Sequence, residues 1–166
     1  MRSQAETYRL PERLTGIHTI CFRMDRKVHM KGFRFERQSR AMNWLGAGEA
    51  DTIYGDSFLR DGNAVRKIGN NVTLGFEEMD FGKTQECLLE IEGSTLLEVN
   101  AITIQTTGDN GETVKEIANF RRGEKAIQQF PIRVPGGMCT VSFIFLPGSQ
   151  FDFLRFRFLD RTNGDF

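Results

Sequence analysis

Apolar residues recur at every second position through most of this chain, and a side-chain period of two belongs to β-strands that bury one face and wet the other. Val72, Leu74 and Phe76 share one face of such a segment, and Leu89 and Ile91 share another. Ile102 and Ile104 repeat the pattern, as do Phe130, Ile132 and Val134, and then Val141, Phe143 and Phe145. Turn-forming residues separate these runs, so about nine strands are expected. Asp109-Asn110-Gly111 supplies residues that tolerate positive φ and predicts a tight hairpin between strands near 99–106 and 112–118. Only Arg37 to Leu45 offers a short helical stretch. Fifteen Phe, against two Tyr and one Trp, suit a core formed between two sheets. The expected class is all-β, an antiparallel β-sandwich of the jelly-roll kind.

Charge narrows the function. Lys plus Arg and Asp plus Glu each number 22, which leaves no net basic field for nucleic acid and none for an anionic membrane surface. No apolar run has the length of a membrane span, and the first residues lack the order of a signal peptide. Cys21, Cys87 and Cys139 lie in apolar, strand-like runs and form no close-spaced metal pattern with His18 or His29. They read as buried free thiols, which favours a reducing, cytoplasmic compartment.

The chain also repeats itself. Gly16-Ile17-His18-Thr19-Ile20-Cys21-Phe22, followed by Phe33-Arg34-Phe35, matches Gly137-Met138-Cys139-Thr140-Val141-Ser142-Phe143, followed by Phe156-Arg157-Phe158. Each copy reads as a strand, a turn and a closing strand, the last hairpin of a sandwich. One domain needs one such ending. Residues 1–40 are therefore expected to be a tail hairpin from the end of a preceding, similar module, with the sandwich at 41–161 and a C-terminal tail at 162–166. Duplication within one fold is the rival. An excised tail would expose Phe33 and Phe35, so a homodimer through the N-terminal hairpin is a further expectation.

Three segments carry a resemblance to the family-six type of carbohydrate-binding module, a galactose-binding-like β-sandwich. They are Gly48-Glu49-Ala50-Asp51, the run from Asn71 to Gly82, and the ending from Gly137 to Phe158. A second resemblance spans nearly the whole chain. Leu10 to Leu14, Ile17-His18-Thr19, Lys31-Gly32-Phe33, Ile53 to Phe58 and Ile68 to Val72 look like stretches in the C-terminal region of family-two glycoside hydrolases of the β-galactosidase type. These resemblances imply a non-catalytic module of a larger bacterial hydrolase. Its partners would be oligosaccharides or polysaccharides, galactose-containing ones among them, and the parent's catalytic domain.

The resemblance further implies a structural calcium held by Glu49, Asp51 and Asp152. Hard oxygen ligands from both chain ends would pin the first strand to the last. Strand alternation would put Glu49 and Asp51 on one face. Sugar binding asks for an aromatic face to stack on a pyranose and planar polar groups to sort its hydroxyls. Tyr54, Asp56, Phe58, Asn70 and Asn71 are the candidates, with Trp44 as an outlying one. The family's second stacking Trp has no equivalent among Phe120 to Gln129. Tyr54 to Phe58 and Gly69 to Asn71 also read as plain turns. No pair of acids stands out as glycosidase machinery, and neither a nucleophile elbow nor a phosphate loop occurs. Two functions remain open: a glycan binder, and a structural or interaction module that packs on a catalytic domain or mediates oligomerisation.

Overall fold

A computed structural model of the protein describes residues 5–8, 17–35 and 39–161. The chain divides into two compact units, Met1–Glu36 and Arg37–Phe166. In the second unit the strands are β1 Leu45–Gly46, β2 Thr52–Tyr54, β3 Leu59–Asp61, β4 Ala64–Ile68, β5 Val72–Asp80 and β6 Glu86–Thr95. They continue as β7 Val99–Gly108, β8 Thr113–Arg121, β9 Ile127–Arg133, β10 Met138–Phe145 and β11 Phe151–Asp160. Every pairing is antiparallel. One sheet runs β3-β4-β11-β6-β9, with β1 also on β11, and the other runs β2-β5-β10-β7-β8. This is the expected all-β sandwich. Eleven strands form against the nine or so expected, and β1, β2 and β3 are pieces too short to show an alternation.

Local chemistry explains the layout. Asn110 and Gly111, at φ 84°, turn β7 into β8, and the Asn110 Oδ1 accepts the Glu112 N–H at 3.0 Å. Pro131 falls in β9, an edge strand, where a residue without an N–H is tolerated. Phe76, Phe143 and Phe145 from one sheet meet Phe151, Phe153 and Phe156 from the other, and Phe158 packs against Phe81 and Phe156, all essentially buried. Phe156 stands at the centre, 4.7 Å from Phe76 and 4.6 Å from Phe143 between ring centroids.

Two bulges let the alternation skip without exposing the core. In β5, Phe76 faces Val141 while Met79 faces Cys139, so two residues oppose one, and Glu78 takes φ 55°. In β11 the register shifts between Phe153 and Arg155, so that Phe153 and Phe156, three apart, are both fully buried.

Three expectations are corrected. The described part of Arg37–Leu45 is a turn leading into β1, not a helix, because the Ala41 carbonyl accepts the Phe158 N–H and ties the segment to β11. Glu49 lies in a short 3-10 turn, Ala47–Glu49, so it and Asp51 are not neighbours on one strand face. Cys87 and Cys139 are buried as expected, but Cys21 is exposed. Burial pushes the Cys87 thiol up to about 12, with the Asp160 carboxylate adding to it, and the Cys139 thiol up to about 11.

In the first unit, residues 17–35 carry a bend at Asp25–Arg26 and no strand. The tail hairpin is thus absent as a ladder, because the backbone has no paired strand there. The chain still reverses, bringing the Phe22 and Phe33 rings to 5.0 Å. Leu10 to Leu14, Gly16 and the 162–166 tail lie outside the described residues.

Candidate functional site

Five loops gather at one end of the sandwich, because β2, β4, β6, β8 and β10 all finish there. The pairings of Tyr54 with Thr73, Phe151 with Ile68 and Thr95, Phe145 with Val72, and Val99 with Arg121 fix this arrangement. Three of these loops are stitched together. The Gly69 N–H donates to the Ser57 carbonyl at 2.9 Å and the Asp56 N–H to the Asn70 carbonyl at 3.4 Å. The Asn71 amide donates to the Asp56 carboxylate at 3.0 Å, and the Gly148 N–H donates to the Asn70 Oδ1 at 2.9 Å. Gly55, at φ 147°, and Asn71, at φ 52°, make the bends.

These bonds bring Asp56, Asn70 and Asn71 together, and Tyr54 and Phe58 stand two residues either side of Asp56 in the chain. Tyr54 is 62% exposed and Phe58 37% exposed, so ring surface is open to a ligand. Asp56 and Asn70 each spend one oxygen on loop structure. The second Asp56 oxygen and the Asn70 NH2 carry no hydrogen bond among the described residues. The Leu146-Pro147-Gly148 loop, with Leu146 57% exposed, joins the group through Asn70. Its Pro-Gly pair signalled a turn, but nothing local to it told that the turn would land beside residue 70.

Trp44 does not join them. It is half-buried just before β1, with the Arg155 guanidinium 4.3 Å and the Arg157 guanidinium 4.6 Å from its ring centroid. Those arginines pair with Glu92 and Glu90 across the sheet, the second at 2.5 Å. The ring is thus committed to cations of its own chain. It lines a surface hollow with Asn63, Arg66, Glu92 and Arg155, and a second hollow lies along 119–130. Neither includes the Tyr54 group. The connection from Arg122 to Ala126 carries no aromatic ring.

The acids assigned to calcium are not brought together, and their donor sets do not suit a cation. The Asp51 Oδ2 accepts the Arg40 Nη1 at 2.7 Å and the Glu77 N–H at 2.7 Å. The same guanidinium donates to the Glu77 carbonyl at 2.6 Å and the Glu49 carbonyl at 3.2 Å. The ladder between β2 and β5 stops at Gly75, and these side chains satisfy the next edge groups of β5. The Glu49 carboxylate instead accepts the Gly46 N–H at 2.6 Å. Asp152 accepts the Lys67 N–H at 2.8 Å and lies 3.6 Å from Arg66, whose pKa is raised, first by hydrogen bonding to Asp61. Among the described residues no group of three acids, His or Cys is placed to hold a metal.

Arginine thus meets the Asp51 and Asp152 carboxylates where the resemblance implied a divalent ion. Replacing Arg40 by alanine is expected to cost about 1–2 kcal/mol, while calcium or EDTA leaves the wild-type melting midpoint unchanged. A calcium-dependent rise of several degrees, lost in Asp51→Asn, would restore the metal site.

No family model matches the chain, and no curated protein matches it. Solved structures do. A family 6 carbohydrate-binding module from Clostridium stercorarium in complex with cellobiose superposes with a TM-score of 0.56 at 14% identity, over 72% of this chain and 95% of that one. The C-terminal family 6 module of a marine laminarinase from Zobellia galactanivorans gives 0.58 at 13% identity, over 71% and 98%. A family 36 module in complex with calcium and xylotriose gives 0.53 at 14% identity, over 71% and 100%. At such identities the likeness establishes the fold alone, an antiparallel β-sandwich that this chain shares with those modules.

Proposed function

We propose that this chain is a non-catalytic glycan-binding module, and that the stitched loops at one end of the sandwich form its binding face. The observation that supports this best is the bonding of the Asp56 loop to the Asn70 loop, with the exposed rings of Tyr54 and Phe58 two residues either side of Asp56. In this reading the Tyr54 ring stacks on the apolar face of a pyranose, and the uncommitted Asp56 oxygen and Asn70 amide sort its hydroxyls. With one aromatic face rather than two, binding is weak. The parent enzyme would be a glycoside hydrolase of the β-galactosidase type, which the module holds near its substrate.

Isothermal titration with cello-, xylo- and laminari-oligosaccharides and with galactosides tests the proposal. Tyr54→Ala should lower the affinity for the glycan that binds by about tenfold or more, consistent with a buried aromatic anchor. Absence of binding across all four classes would favour the second reading, a module that packs on a catalytic domain or mediates oligomerisation. That reading draws on the missing ring between Arg122 and Ala126.

A further inference from the structure

The first unit holds a detailed copy of the two strands at the centre of the sandwich. In β10 the inward residues are Cys139, Val141, Phe143 and Phe145, and in β11 they are Phe151, Phe153, Phe156 and Phe158, each no more than 2% exposed. Aligned on the repeat, the counterparts of Cys139, Val141, Phe143 and Phe145 are His18, Ile20, Phe22 and Met24, and those of the β11 residues are Val28, Met30, Phe33 and Phe35. All but His18 are apolar. The second arm reproduces even the three-residue step of the β11 bulge, with Met30 and Phe33 matching Phe153 and Phe156. Three outward positions also match in kind, Thr19 with Thr140, Cys21 with Ser142 and Arg34 with Arg157, whereas Arg23 stands for Ile144 and Lys31 for Leu154.

Geometry repeats as well as sequence. Phe22 and Phe33 lie 5.0 Å apart, where Phe143 and Phe156 lie 4.6 Å apart. Phe33 and Phe35 meet at 5.8 Å and 75°, against 5.8 Å and 83° for Phe156 and Phe158. Yet the seven apolar counterparts are 44–62% exposed. A run of side chains shaped for a core, without a core over them, is a docking surface.

We propose that residues 17–35 are the last two strands of a second sandwich, and that their partner is a sandwich of this same strand plan whose own two final strand positions are open. A complete second copy of this chain does not fit that description. Its β10 is already held between β5 and β7, and its β11 between β4 and β6, so admitting the copy would break ladders at the centre of both sheets. The inference is independent of glycan binding.

Equal-length exchanges within the full chain test it. Residues 28–35 replace 151–158 in one variant, and residues 17–24 replace 138–145 in another. The controls insert 27–34 and 18–25 at the same places, a shift of one residue that turns polar side chains inward. The in-register variants should keep a cooperative melt and a near-ultraviolet aromatic signal at a lowered midpoint, whereas the shifted ones lose both. In-register variants that melt no more cooperatively than the shifted ones would overturn the proposal. The full chain should also sediment as a monomer. A dimer abolished by Phe22→Asp with Phe33→Asp would show that a complete copy is accepted, and would overturn the assigned partner.

Discussion

Replacing Phe156 by alanine is expected to destabilise the sandwich by about 3–5 kcal/mol, the range for emptying a buried aromatic site. The ring is fully buried and lies between the sheets, 4.7 Å from Phe76, 4.6 Å from Phe143 and 5.8 Å from both Phe153 and Phe158. Edge-to-face and tilted contacts of this kind add to the simple burial of area. The cavity cannot collapse easily, because its walls are ring edges held by central strands of both sheets. Phe130 offers the comparison: it is only partly buried, on edge strand β9, with its ring 6.5 Å from that of Phe120. Denaturant titration should show Phe130→Ala losing less than half as much. Equal losses for the two would mean that the aromatic cluster is not the centre of stability.

Gly55→Ala should couple stability to function. Gly55 takes φ 147°, and a Cβ there would collide with the Asn71 carbonyl oxygen and come 2.6 Å from the Val72 Cα. Both neighbours are backbone, so the loop carrying Tyr54 and Asp56 must move away from the loop carrying Asn70 and Asn71. The cost is about 1–3 kcal/mol for the strained conformation, with the collision added. Gly62 separates the two terms, since it takes φ 58° but a Cβ there meets nothing within 4 Å. Gly62→Ala should cost about 1–2 kcal/mol and leave any glycan titration unchanged. Gly55→Ala should cost more and abolish it. Retained binding in Gly55→Ala would move the glycan face away from these loops.

Much of the fold was legible because the alternation is local. Val72, Leu74 and Phe76 declare a buried face whichever strand pairs beside them, and the Asn110-Gly111 hairpin is specified by the turn residues themselves. Where the period breaks, the reading failed. Glu49 fell in a 3-10 turn because Gly46 and Gly48 approach the Asn63 and Gly62 backbone too closely for a regular strand with side chains. The site was half legible. Tyr54, Asp56 and Phe58 are close in sequence and arrived together, while the Leu146 loop reached them through Asn70, 78 residues away from Gly148.

The metal assignment shows the limit most clearly. The resemblance implied three oxygen ligands, Glu49, Asp51 and Asp152. Which cation each carboxylate meets depends on neighbours through space. Asp51 finds Arg40, 11 residues away, and the Glu77 N–H, 26 away, while Asp152 finds the Lys67 N–H, 85 away. The sequence by itself determined an all-β sandwich with a phenylalanine core and a repeated stretch of sequence, since these follow from periodicity and repetition along the backbone. Only the tertiary structure decided that β10 and β11 lie at the centres of the two sheets while residues 17–35 form no strand, and that arginines pair with Asp51 and Asp152. Burial and charge pairing belong to whatever packs alongside, and no local pattern encodes that.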